Sequence, residues 1–239
     1  MASHRLVELD SRTWEARMKT NPLLILPVGA LEAHGPHLPL GADQIQAEST
    51  AASLADRVEG IVAPTLPYGA CPEARPFPGT VSMSIGDLQR SAQGVLLEFA
   101  RMGVRRILVL SGHAERGHMA ALREAAGETI RSYPNVRIVV LSDYDFVYEL
   151  RGKESPATDG HAGVMETSRV LFLAPQTVGP ARPVVPHRGS PFVPGTRSLE
   201  EWPESVVGDT RPASAELGGR IQQHVLERLE ATVRELLPA

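Results

Sequence analysis

Two short stretches of this sequence gather imidazoles and carboxylates at spacings suited to holding metal ions. The first is Gly29-Ala-Leu-Glu32-Ala-His34-Gly-Pro-His37-Leu-Pro-Leu-Gly-Ala-Asp43, and the second is Ser111-Gly-His113-Ala-Glu115-Arg-Gly-His118. Glu32 and His34 are separated by one residue, as are His113 and Glu115, so on an extended backbone each pair points to one side. Neutral imidazole nitrogen with carboxylate oxygen, and no thiolate, suits a borderline divalent cation: Zn2+ first, with Mn2+ or Fe2+ as alternatives. Asp43 closes the first stretch just before a helical pattern, where its carboxylate could bridge two ions and also favour the helix N-terminus. A water between two cations is acidic enough to exist as hydroxide near neutral pH, and the ions then stabilise a tetrahedral oxyanion. That is chemistry for hydrolysing an amide-type C–N bond.

A third stretch, Asp159-Gly-His161-Ala-Gly-Val-Met-Glu166-Thr-Ser168, is a glycine-bearing turn leading into a helix. His161 is the candidate acid for a leaving nitrogen, because imidazole titrates near working pH with little tuning. Glu166 could orient a ligand or a neighbouring loop, and with Glu115 it joins His161 as a catalytic candidate. Tyr144 and His37 are candidates for substrate contact; His37 could equally support a ligand from behind or cap its loop. His118 reads as a packing or surface histidine, and His4, His187 and His224 as structural or exposed.

The elements that must position these groups follow from the apolar pattern. Leu23–Val28, Arg106–Leu110 and Val136–Leu141 are short apolar runs that predict buried strands. Helical patterns cover Ile45–Val58, Gly86–Met102 with Ser84 as N-cap and Asp87 three residues on, Arg116–Ser132, the stretch after Asp159, and Ala215–Leu237. Strands alternating with helices predict a mostly parallel sheet covered on both faces, an α/β three-layer α/β/α sandwich. In such a sheet every strand's carboxyl end reaches one edge and ligands bind there. The first two stretches each follow a strand directly, so they should converge at that edge. The Pro-rich segment 175–212 cannot be regular helix and is expected to run extended over the surface, covering the site or serving subunit contacts.

Together these motifs resemble the creatininase (creatinine amidohydrolase) family. The matching stretches are Pro27-Val-Gly-Ala-Leu-Glu32-Ala-His34-Gly-Pro-His37-Leu-Pro-Leu with Asp43, Phe77-Pro-Gly-Thr80, Gly112-His113-Ala-Glu115, and His161-Ala-Gly-x-x-Glu166-Thr-Ser168. The resemblance runs from about Leu23 to Leu173 and continues weakly into Gly208–Gly218. It implies the three-layer fold, a binuclear metal centre, and hydrolysis of a cyclic amide, formamide or related C–N bond. It further implies that Glu32, Asp43 and His113 hold one metal, that His34, Asp43 and Glu115 hold the other, and that the protein is a homohexamer. Where relatives acting on creatinine carry two lid tryptophans, this chain has Tyr144 and Ala157; its only tryptophans are Trp14 and Trp202.

Composition narrows the partners. The chain has 239 residues, 42% hydrophobic and 22% charged, enough for a sizeable core in one domain spanning 1–239. Net charge −4 provides no electrostatic footprint for nucleic acid or an anionic membrane, so a small-molecule amide is the expected partner. The lone Cys71 and the lack of a secretory h-region fit a cytoplasmic protein. Within the family reading the substrate could be creatinine, a formamidopyrimidine nucleotide losing formate, or a peptide in cofactor maturation. From other classes, a two-metal phosphoesterase and a non-catalytic ligand-binding protein stand as alternatives, the former weakened by having only Lys19 and Lys153 for lysines.

Overall fold

The structure is a computed structural model that describes residues 4–186 and 198–238. In chain order its helices and strands are α1 (Ser11–Met18), β1 (Leu23–Val28), α2 (Ala42–Val58), β2 (Ile61–Val62), α3 (Ile85–Arg101), β3 (Arg106–Ser111), α4 (Arg116–Ser132), β4 (Arg137–Ser142), α5 (Tyr144–Val147), α6 (Val164–Leu173), β5 (Val184–Val185), α7 (Ser198–Glu201), β6 (Gly208–Asp209) and α8 (Ala215–Leu236). The central sheet has the order β2-β1-β3-β4 and is parallel throughout. The connection from β1 leads outward to β2 on one side, and the chain then returns to β3 on the other. The break in strand order therefore falls between β1 and β3, the switch point where ligands bind in such sheets.

Alternation along the strands builds the layers. Leu23 and Ile25 of β1, with Leu108 and Leu110 of β3, face a core shared with α2, α5, α6 and α8. Leu24, Leu26 and Val28, with Ile107 and Val109, face a second core shared with α3 and α4. Both faces of the sheet are therefore buried, which is why its strands read as continuous apolar runs rather than alternating ones. The architecture is the expected three-layer α/β/α sandwich.

The starts of α3 and α4 were legible, whereas α2 begins at Ala42, three residues before the expected Ile45, and takes Asp43 into its first turn. Ser84 accepts from the Asp87 backbone N–H at the N-terminus of α3, and the α4 bounds are those expected. Register brings Val28, Ser111 and Ser142 into one row across the sheet. The loops carrying Glu32, His113 and Tyr144 thus leave from one edge. Gly112 tightens the convergence: any Cβ there would overlap the Asp43 backbone carbonyl, so the start of α2 can lie directly against the end of β3.

The Pro-rich segment departs from the expectation of a simple extended run. Its described parts pair β5 with β6 antiparallel and bury Ser205 and Val206 completely, while Pro203–Ser205 forms a single 3-10 turn. Pro191, Pro194 and His187 lie outside the described residues. Among the described residues no helix is long and apolar enough to cross a membrane.

Candidate metal centre

At the β1/β3 edge, Glu32, His34, Asp43 and His113 lie side by side and almost fully buried. His113 Nδ1 stands 3.0 Å from Glu32 Oε1 and 3.2 Å from Asp43 Oδ2. His34 Nε2 stands 3.3 Å from Asp43 Oδ1 and 3.5 Å from Glu166 Oε1. Asp43 thus presents one carboxylate oxygen to each imidazole. Two compact donor groups result, Glu32 with Asp43 and His113, and His34 with Asp43 and Glu166; Glu32, His34 and His161 form a third.

Each histidine is oriented by its other nitrogen. His34 Nδ1 lies 3.0 Å from the Glu32 carbonyl and His113 Nε2 lies 3.2 Å from the Ala70 carbonyl, so each of these nitrogens carries the proton and donates it. The nitrogens facing the cluster become lone-pair donors once a cation displaces their protons, the arrangement usual for metal-binding histidines. Glu32 Oε1, His34 Nε2 and Asp43 Oδ2 are buried without a hydrogen-bond partner in the structure. Buried polar atoms left unpaired cost free energy, and these three, divided between the adjoining donor groups, are what bound cations would satisfy.

The electrostatics agree. Burial alone would lower the pKa of His34, but Glu166 and Asp43 outweigh it and raise it well above the ordinary value. Burial is likewise overcome at His113 by Glu32 and Asp43. Burial opposes ionisation of Asp43 and Glu166, yet the imidazoles win, holding Asp43 below the usual carboxylate range and Glu166 at about 2. The carboxylates stay ionised, and the negative potential that attracts a proton to these imidazoles attracts a divalent cation more strongly.

The expectation for Glu115 as a ligand meets a different geometry. Glu115 is the N-cap of α4, and its Oε2 accepts from the His118 backbone N–H at 2.7 Å. Capping draws the carboxylate back onto its own helix, so Glu115 lies outside the donor groups found among the described residues, while still lining the cavity. Glu166 stands instead in the group with His34. The one-residue spacing after His113 misled because the chain turns into a helix at that point. His161 does reach the cavity: its Nε2 lies 2.8 Å from the Ala33 carbonyl and its Nδ1 3.9 Å from Glu32 Oε1.

The two substrate-contact candidates are placed differently from the expectation. His37 is 1% exposed, its Nε2 lies 2.9 Å from the Thr167 hydroxyl, and burial lowers its pKa to about 4. It ties the first loop to α6 and is absent from the cavity lining. Tyr144 lines the cavity but donates its hydroxyl proton to Gln46 at 3.0 Å, behind the cluster. His118 is fully buried, as the packing reading required, between the Ser111 hydroxyl and the Ala70 N–H, and burial takes its pKa to about 3.

Sequence reasoning missed Trp202 and Gln46. Trp202 reaches the site from the Pro-rich segment, its ring edge-on to His161 at 5.4 Å and 6.0 Å from Phe77. Nothing in the spacing linked residue 202 to the two loops that carry the candidate ligands. Gln46 lies one helical turn beyond Asp43, a spacing that could have flagged it. The cavity over the cluster measures about 200 Å³, and among the described residues lining it there is no lysine or arginine.

Comparison with known proteins accords with this geometry. The sequence profile of the creatininase family, described as creatinine amidohydrolase, matches residues 7–233. The chain is 31% identical to the creatinine amidohydrolase of Pseudomonas putida, covering 97% of this chain and 96% of that protein. It is 29% identical to the mycofactocin precursor peptide peptidase of Mycobacterium ulcerans (strain Agy99), covering 98% and 93%. A solved structure named creatininase Mn superposes with a TM-score of 0.91 at 28% identity, over 100% of both chains. The chain therefore belongs to the creatininase family.

Proposed function

We propose that this protein is a metal-dependent amidohydrolase that cleaves a C–N bond in a small amide. The observation carrying this reading is that Glu32 Oε1, His34 Nε2 and Asp43 Oδ2 lie buried and unpaired within adjoining donor groups at the switch point of the sheet. Glu32, Asp43 and His113 would hold one divalent ion, and His34, Asp43 and Glu166 the other. Zn2+ fits this donor set best, with Mn2+ or Fe2+ as alternatives. Once bound, such ions supply an acidified water and a positive field for the oxyanion.

The rest is done by the chain's own side chains. His161 faces the cavity with Nδ1 while the Ala33 carbonyl fixes Nε2, which orients it to hand a proton to a departing nitrogen. Glu115, held at the α4 N-terminus and lining the same cavity, would take a proton from the attacking water. Trp202 and Ala74 supply apolar wall, and Tyr148 narrows the mouth. The absence of lysine and arginine among the described lining residues weighs against a phosphoesterase and against a nucleotide substrate, since phosphate needs a cationic or N–H cradle. A peptide substrate is the second reading, favoured by the peptidase relatives; a small cavity with one open side admits the end of a chain as readily as a free amide. The family resemblance supports a homohexamer, and the lone Cys71 a reducing, cytoplasmic setting, as part of the same proposal.

Chelation followed by metal restoration tests the reading. Hydrolysis of creatinine, formamides, small lactams or short peptides should vanish on chelation and return with Zn2+, Mn2+ or Fe2+. Turnover indifferent to chelator, or a protein that takes up no metal, would contradict it.

A further inference from the structure

Gln46 occupies a position that metal-ligand motifs do not account for. It is fully buried on α2, and its two ends are engaged in a definite sense. Nε2 donates to Glu166 Oε1 at 3.0 Å and to the Ala42 carbonyl at 3.3 Å, both of them acceptors only. The amide orientation is thereby fixed, and Oε1 must accept, which it does from the Tyr144 hydroxyl at 3.0 Å. The other oxygen of Glu166 accepts from the Ala162 N–H at 2.8 Å. Tyr144 is itself held from behind: it is 7% exposed, and the Arg169 guanidinium lies 5.5 Å from its ring centroid. Arg169 in turn is fixed by Asp143 at 2.7 Å and by Gln222 at 3.1 Å. The chain of donors therefore runs in one direction, from Tyr144 through Gln46 to Glu166, and ends on the oxygen that faces His34.

We propose that Gln46 and Tyr144 are positioning residues that aim Glu166 Oε1 at the metal shared with His34 and Asp43. The inference rests on the metal-dependent reading above. Without the Gln46 amide, Glu166 Oε1 would lose the side-chain donor that fixes its direction, and the carboxylate would be anchored through Oε2 alone. Among the described residues no side-chain hydrogen bond joins Glu32, Asp43 or His113 to Gln46 or Tyr144, so the ion held by that group should be indifferent to the relay. The role also accounts for the aromatic residue at 144: its hydroxyl serves the metal ligand from behind.

The experiment is a Zn2+ titration, by calorimetry and elemental analysis, of the full chain as wild type, as Gln46→Leu and as Gln46→Leu/Tyr144→Phe, with thermal melts of each protein in chelator. The double variant removes both partners without leaving the tyrosine hydroxyl stranded beside an apolar residue, and so guards against simple misfolding. The expected result is a roughly 10- to 100-fold weaker affinity for one of two ions in both variants, the other unchanged. A purely structural role would instead lower the melting temperature of the metal-free protein while leaving both affinities alone. Both affinities within twofold of wild type in the double variant, or equal loss of both ions, would overturn the proposal. A wild type that binds no zinc would overturn the functional reading first, and the relay with it.

Discussion

The two helical layers that cover the same sheet are built on opposite terms. The α3/α4 layer is mostly apolar: the residues that α3 buries are Leu88, Ala92, Leu96, Phe99 and Ala100, and of the polar groups that α4 buries, the Thr129 hydroxyl is satisfied within its own helix and His118 by Ser111 and Ala70. The α2/α6/α8 layer carries a buried polar seam of Gln46, Thr50, Thr167, Ser168, Arg169 and Gln222, met by Asp143 from the end of β4. At the sheet edge the seam reaches Glu166 and the candidate metal-binding cluster. Apolar packing stabilises without direction, whereas hydrogen bonds fix angles and cost heavily when half-made. One layer therefore mainly holds the sheet together, and the other mainly orients the groups at its edge.

The most severe way to break that contrast is at Arg169. Its ion pair with Asp143 is completely buried, so Arg169→Leu strands a carboxylate and should cost about 3–5 kcal/mol in urea unfolding, a drop of roughly 6–20 °C in Tm. Arg169→Leu/Asp143→Leu should recover most of that loss, because a buried pair replaced by apolar side chains is close to neutral. A single variant as stable as wild type would show the seam to be energetically idle.

A smaller effect is expected from Leu96→Ala in the apolar layer. It removes a fully buried side chain and should cost about 3 kcal/mol through lost burial and a cavity, with metal affinity unchanged. Metal loss in that variant would erase the distinction between the layers.

How much of this was legible in the sequence follows the same division. The strands, the long helices and the convergence of the two loops could be read from apolar runs and from where the motifs fell after them, since those features depend on local pattern and on the parallel-sheet rule. Glu166 joining His34 was not legible, because it depends on how α6 packs against α2 across 120 residues of sequence. Glu115 was placed among the ligands by spacing, yet the start of α4 claims its carboxylate as a cap. Tyr144 looked like a substrate contact because it stands where relatives acting on creatinine carry a lid tryptophan; a buried partner, Gln46, claims its hydroxyl. Trp202 was hidden in a segment whose prolines suppress any periodic signal.

The central claim is that two donor groups share Asp43, and the metal content of purified Asp43→Ala tests it most directly. Both ions should be lost together, because each histidine faces its own oxygen of this one carboxylate. Retention of one tightly bound ion at full occupancy would contradict the shared centre.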